Sequence, residues 1–181
     1  MQGFPLRFAL LALLATPLAA QSPAVSLTAE MTKDYQNVRD YVLAAAVEVP
    51  ESLYAFKPSP VVRTFAQQFA HIADDQYNLC GPAQGKTRGL PYQALEHSLT
   101  TKTKILAALR AGFAYCDTAY AALTDAEAPT MVPRWQRTRF GMLNWNMWHT
   151  WEHYGNIVVY LRINGLTPPS SMPMTMPMPA H

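Results

Sequence analysis

Apolar residues recur along most of the chain at steps of three and four, the period of a helix with one buried face. Met31, Tyr35, Val38, Val42, Ala45 and Val49 make the first stripe, and with Thr28 or Ser26 as N-cap they predict a helix over about 28–48. Pro50, Pro58 and Pro60 stop it and delay the next helix until Thr64. Thr64 and Gln67 have the spacing of a capping box. The stripe that follows, Phe65, Ala66, Phe69, Ala70, Ile72, Ala73, Tyr77 and Cys80, is terminated in this reading by Gly81 and Pro82. Residues 81–98 hold three glycines and two prolines and read as a long connector. A third stripe, Leu106, Leu109, Phe113, Cys116, Tyr120 and Leu123, starts near Thr100. After Pro129 and Pro133 a last helix is predicted from about Thr138 to Asn164, with Gly165 as a left-handed cap and Pro168 and Pro169 beyond it. No segment shows a convincing strand pattern.

Four such helices bury their stripes most simply as a four-helix bundle, so the predicted class is all-α. The connector between helices two and three is long enough to travel the length of the bundle, which would let those two helices run parallel. The bundle is assigned to residues 21–169. Ahead of it, Arg7, the apolar run Phe8 to Leu14 and the ending Pro17-Leu18-Ala19-Ala20 have the layout of a secretory signal over residues 1–20, an uncut anchor being the alternative because Leu18 is larger than the usual residue before the cut. An exported protein, periplasmic or extracellular, is the expectation. Residues 170–181 are too rich in methionine and proline for a helix and read as a disordered tail. Its Met172, Met174, Met176 and Met178 with His181 offer thioethers and an imidazole of the kind copper(I) favours, the other reading being plain low complexity.

Half of the residues are apolar and only 14% are charged, which excludes a disordered chain. The formal charge of +2 becomes +1 once Arg7 leaves with the signal, and the basic residues are scattered singly. Nothing here could neutralise a run of phosphates, so nucleic acid is not an expected partner. Beyond the signal no stretch approaches the roughly 20 apolar residues of a membrane span. The expected partner is a small-molecule substrate of unknown identity, with a homodimer left open. Cys80 and Cys116 sit near the C-terminal ends of helices two and three, and export would place them in an oxidising compartment. They can pair if the helices are parallel, whereas in an antiparallel pair they would be some ~20 Å apart. Two buried free thiols are the alternative.

His149 and His153 are one turn apart on one face of the last helix, the spacing that lets two imidazoles converge on one ion. The surrounding run Trp145 to Tyr154 is too aromatic for a solvated face, and buried imidazoles need partners. His71, half-way along helix two, is the candidate third ligand. Three neutral imidazoles with open remaining positions are the ligand set of a catalytic divalent-metal site. Hydrogen-bonded core histidines are the competing reading. Asp75, one turn past His71, could orient that ring, and Asn146 and Asn156, three residues before and after the pair, could orient a substrate or the ligands. Glu152 should point away from the ion, adjacent residues being about 100° apart on a helix.

The segments Thr64-Phe65-Ala66-Gln67-Gln68-Phe69-Ala70-His71-Ile72-Ala73, His149-Thr150-Trp151-Glu152-His153-Tyr154-Gly155-Asn156 and Tyr160-Leu161-Arg162-Ile163-Asn164-Gly165 resemble the DinB family, also called YfiT-like. The resemblance covers nearly all of the chain after the signal. It implies an up-down-down-up four-helix bundle with helices two and three parallel. It also implies a divalent metal, zinc or nickel before iron or manganese, held by His71, His149 and His153. Related proteins activate a low-molecular-weight thiol for transfer, but those thiols are cytosolic, so in an exported chain activated water and hydrolysis are the alternative. A non-catalytic metal-binding bundle stays open beside both.

Overall fold

In the computed structural model, which describes residues 25–87, 90–91 and 93–172, the chain is mostly helical, as the apolar period predicts. In order come α1 (Leu27–Glu48), α2 (Phe65–Ala83), a short α3 (Ala94–Ser98), α4 (Lys102–Ala122), a hairpin of β1 (Met131–Val132) and β2 (Arg137–Thr138), and α5 (Arg139–Ile163). The signal segment, and Met174, Met176, Met178 and His181 of the tail, lie outside the described residues.

The helix starts follow their caps. Ser26 accepts the Ala29 N–H, Thr64 and Gln67 complete the capping box reciprocally, and Thr138 accepts the Gly141 N–H. At the other end of α5, Gly165 takes the left-handed conformation expected of it, with φ 73°.

Three local expectations need correction. Helix α2 does not stop at Gly81 but carries Pro82 in its last turn, where the fixed φ of proline is helical, and closes with the Gln84 N–H on the Cys80 and Gly81 carbonyls. The connector 81–98 contains α3. Its start is held by Asp74 of α2, whose carboxylate accepts the Leu95 and Glu96 N–H groups at 3.0 and 2.9 Å. Finally, the stretch before α5 forms a small antiparallel ladder, Met131 opposite Thr138 and Val132 opposite Arg137, turned through a left-handed Gln136 with φ 49°.

Helix α2 is the axis of the molecule. Every residue in it except Gln67 and Tyr77 is buried. Gly112 of α4 lies so close to it that a Cβ there would be 3.1 Å from the Ala73 carbonyl oxygen, and one turn further Cys116 is disulfide-bonded to Cys80. Gln84 meets Thr118 beyond. These contacts advance along both helices together, so α2 and α4 run side by side in the same direction, as the pairing of the cysteines requires. Against α1, α4 runs in the opposite sense: Thr28 meets Asp125, Tyr35 meets Asp117, and Lys102 reaches the Val47 and Val49 carbonyls. Helix α5 is antiparallel to α2, with Tyr160 against Phe65, His153 against Gln68 and Asn146 against Gln76. After α5 the chain folds back in a helical turn, Pro169–Ser171, and Ser170 bonds the Tyr154 hydroxyl at 3.0 Å. Among the described residues no helix is long and apolar enough to cross a membrane.

Candidate metal centre

Gln68, His71 and Asp75 follow one another on α2 at steps of three and four, and His149 and His153 stand one turn apart on the antiparallel α5. The two rows meet across the seam. One nitrogen from each of His71, His149 and His153 lies within 4.8 Å of the others, and ring centroids are 4.5 to 5.3 Å apart. His71 and His153 are buried and His149 is half-buried. The neighbouring Trp148 and Trp151 are 44% and 36% exposed, so these two rings of the aromatic run stand in a partly solvated position, contrary to expectation, with Trp148 edge-on to His149 at 6.0 Å.

Each ring has an oxygen behind its Nδ1. His153 Nδ1 is 2.7 Å from Gln68 Oε1, which can only accept, so this nitrogen carries the proton. Asp75 Oδ2 is 3.3 Å from His149 Nδ1 and favours the same tautomer there. With both protons on Nδ1, the Nε2 lone pairs of His149 and His153 face each other at 3.2 Å. Two lone pairs repel unless something positive lies between them. His71 Nδ1 has Glu96 Oε2 at 2.9 Å, misaligned for a hydrogen bond, and its Nε2 is 3.2 Å from Asp75 Oδ2. Burial disfavours the charged imidazolium: it pushes His153 down to about 2, helped by His149, His71 and Arg63, and lowers His149 against the opposing pull of Asp75. Neutral imidazole is the form that ligates a metal.

Of the residues expected to orient the cluster, the structure brings in Asp75 alone. Asn146 is buried and turned the other way, to Gln76 Oε1 and the Tyr120 hydroxyl, both at 3.1 Å. Asn156 is exposed and donates to the Glu152 carbonyl, and Glu152 is itself exposed. Gln68, Glu96 and Arg63 were not anticipated. Arg63 grips Glu96 with Nε to Oε1 at 2.8 Å and Nη2 to Oε2 at 3.3 Å, while Asp74 holds the Glu96 backbone, so the carboxylate behind His71 is fixed from two sides. Gln68 was legible, three residues before His71 on the same face. Glu96 was not.

No curated protein sequence matches the chain. The sequence pattern of the DinB superfamily does, over residues 34–157, which include all three histidines, the whole of α2 and most of α5. That match spans more than half of the molecule and agrees with its helical architecture, and the chain therefore belongs to the DinB superfamily.

Proposed function

We propose that the protein binds one divalent metal ion through His71, His149 and His153 and uses it in a hydrolase or transferase reaction on a small molecule outside the cytoplasm. The observation that carries this reading is the pair of Nε2 lone pairs facing each other at 3.2 Å within a cluster of three buried or half-buried rings. A cation shared by the three nitrogens removes that repulsion. Imidazole donors suit zinc and nickel, with iron and manganese next. Such an ion supplies Lewis-acid activation of water or a thiol. Gln68 and Asp75 favour in His153 and His149 the tautomer that ligation needs, and the Glu96 carboxylate stands behind His71. Half-buried His149, whose side chain is 19% exposed, is the side from which a substrate would approach. The direction of the helix contacts supports the up-down-down-up bundle, and the buried disulfide supports export, since such bonds persist in oxidising compartments.

A non-catalytic metal-binding bundle is the second reading. Metal analysis of the purified protein tests the shared part. We expect about one ion per chain in the wild type, near none in His149→Ala and His153→Ala, and full occupancy in His97→Ala, whose ring is exposed on α3. Equal occupancy in all four proteins would overturn the site. Hydrolysis of ester, phosphoester and amide substrates and thiol transfer, assayed on the loaded protein, then separate the two readings.

A further inference from the structure

The cleft of about 580 Å³ lies between the end of α2, the turn after it, and the β1–β2 hairpin. By helix rise, Arg139 at its edge is roughly 15 Å from His149 along α5, so it is a separate place from the metal centre. Its volume is within the range of small-molecule sites. Lys86, Arg134 and Arg139 line it, and no carboxylate is among its described lining residues.

The three cations are not equally committed. Arg139 spends Nε on the Ala83 carbonyl at 2.7 Å and Nη1 on Glu127 at 3.4 Å. Lys86 donates to Gln84 Oε1 at 2.7 Å. Arg134 is exposed, and no hydrogen bond or ion pair joins it to another described side chain. The C-terminal carbonyls of α2 would oppose a negative ligand, but they are already taken: Gly81 by the Gln84 and Lys86 N–H groups, Pro82 by Gly85 and Ala83 by Arg139. The cationic side chains therefore decide the sign of the cleft.

Beside Gln84, Thr87 and Thr130, the rest of the wall is apolar. Trp135 is half-buried and held edge-on by Trp145, with ring centroids 5.8 Å apart and planes at 76°. Met131 is 56% exposed and lines the same cleft. The ladder between β1 and β2 and the left-handed turn at Gly85 fix both rims before any ligand arrives.

We propose that this cleft binds a small organic anion with a flat apolar body, of the aromatic carboxylate or sulfonate class. The ring lies against Trp135 and the anionic group is taken by Arg134 with Lys86 and Arg139 behind it. The site is independent of the metal.

Isothermal titration calorimetry of the full chain with naphthalenesulfonate tests this, with neutral naphthalenemethanol as the control. We expect saturable binding at one site, weakened at least about tenfold in Arg134→Glu, by added salt, and by loss of the charge in naphthalenemethanol. Trp135→Ala should weaken both ligands. Because Arg134 is exposed, its replacement leaves the helical circular dichroism and the metal content unchanged, which separates this test from that of the metal centre. Equal binding of naphthalenesulfonate by Arg134→Glu, equal binding of the neutral analogue, or no saturable binding at millimolar ligand would each overturn the proposal.

Discussion

Two stretches of the α2–α5 seam bury polar side chains, and they do so in opposite ways. Around Gln76 and Asn146 every donor meets an acceptor: Asn146 Nδ2 donates to Gln76 Oε1, Gln76 Nε2 to the Ile72 carbonyl, and the Tyr120 hydroxyl lies between the Leu143 carbonyl and Asn146 Oδ1. Two helical turns away, Gln68 bonds the outer nitrogen of His153, Asp75 and Glu96 stand 3.3 and 2.9 Å from those of His149 and His71, and the inner nitrogens face one another. The first arrangement is closed and adds specificity to the core. The second brings three ring nitrogens within 4.8 Å of one another, a spacing that could hold a cation. Burial of polar groups is thus no sign of a site by itself; converging, unspent lone pairs are.

The contrast can be broken from the closed side first. The disulfide beside Asn146 closes a loop with a sequence separation of 36, and by loop entropy its removal in Cys80→Ala/Cys116→Ala should cost roughly 3–4 kcal/mol in chemical denaturation. Metal content should not change. Asn146→Ala strands Gln76 Oε1 and leaves the Tyr120 hydroxyl with the Leu143 carbonyl alone, and should cost about 2 kcal/mol with the metal content unchanged. Loss of the metal in that variant would mean that the two stretches are one network.

The histidine cluster is sharpened by pH. His153 is held down to about 2 in the folded protein by burial and its neighbouring rings, against ~6.5 in an unfolded chain, so the unfolded state takes up the proton first. The stability this contributes is present above ~6.5 and is lost as pH falls below it towards 2. Denaturation of the metal-free protein at pH 7 and pH 5.5 should show a loss of about 1 kcal/mol from this ring. An unchanged midpoint would mean that His153 is protonated in the fold, and the cluster would then not be a neutral ligand set.

Much of this was legible in the sequence, for physical reasons that differ by residue. The spacing of four between His149 and His153 forces a shared face whatever else the chain does. The position of the asparagines was harder. At 100° per residue, His153 lies about 40° and Asn146 about 60° to one side of His149, while Asn156 lies about 20° to the other. The edge of the buried sector passes through half-buried His149, so Asn156 falls in solvent, and Asn146, whose side chain leans toward the helix N-terminus, reaches the turn below the cluster. Glu96 could not be read at all. It belongs to a five-residue helix without an apolar period, and what fixes it is a carboxylate 22 residues earlier, Asp74, a contact that exists only once α2 is buried.

The bond between Cys80 and Cys116 reaches further than the two helices it joins. All of the chain between them, α3 and Glu96 included, is a closed ring that hangs from the parallel pair. When α3 detaches from Asp74 in a local opening, its carboxylate cannot diffuse away but stays tethered at both ends, at a high effective concentration near His71. Reclosure is then an intramolecular step of short reach, and the cluster's outer partner is recovered without the rest of the fold having to reassemble around it.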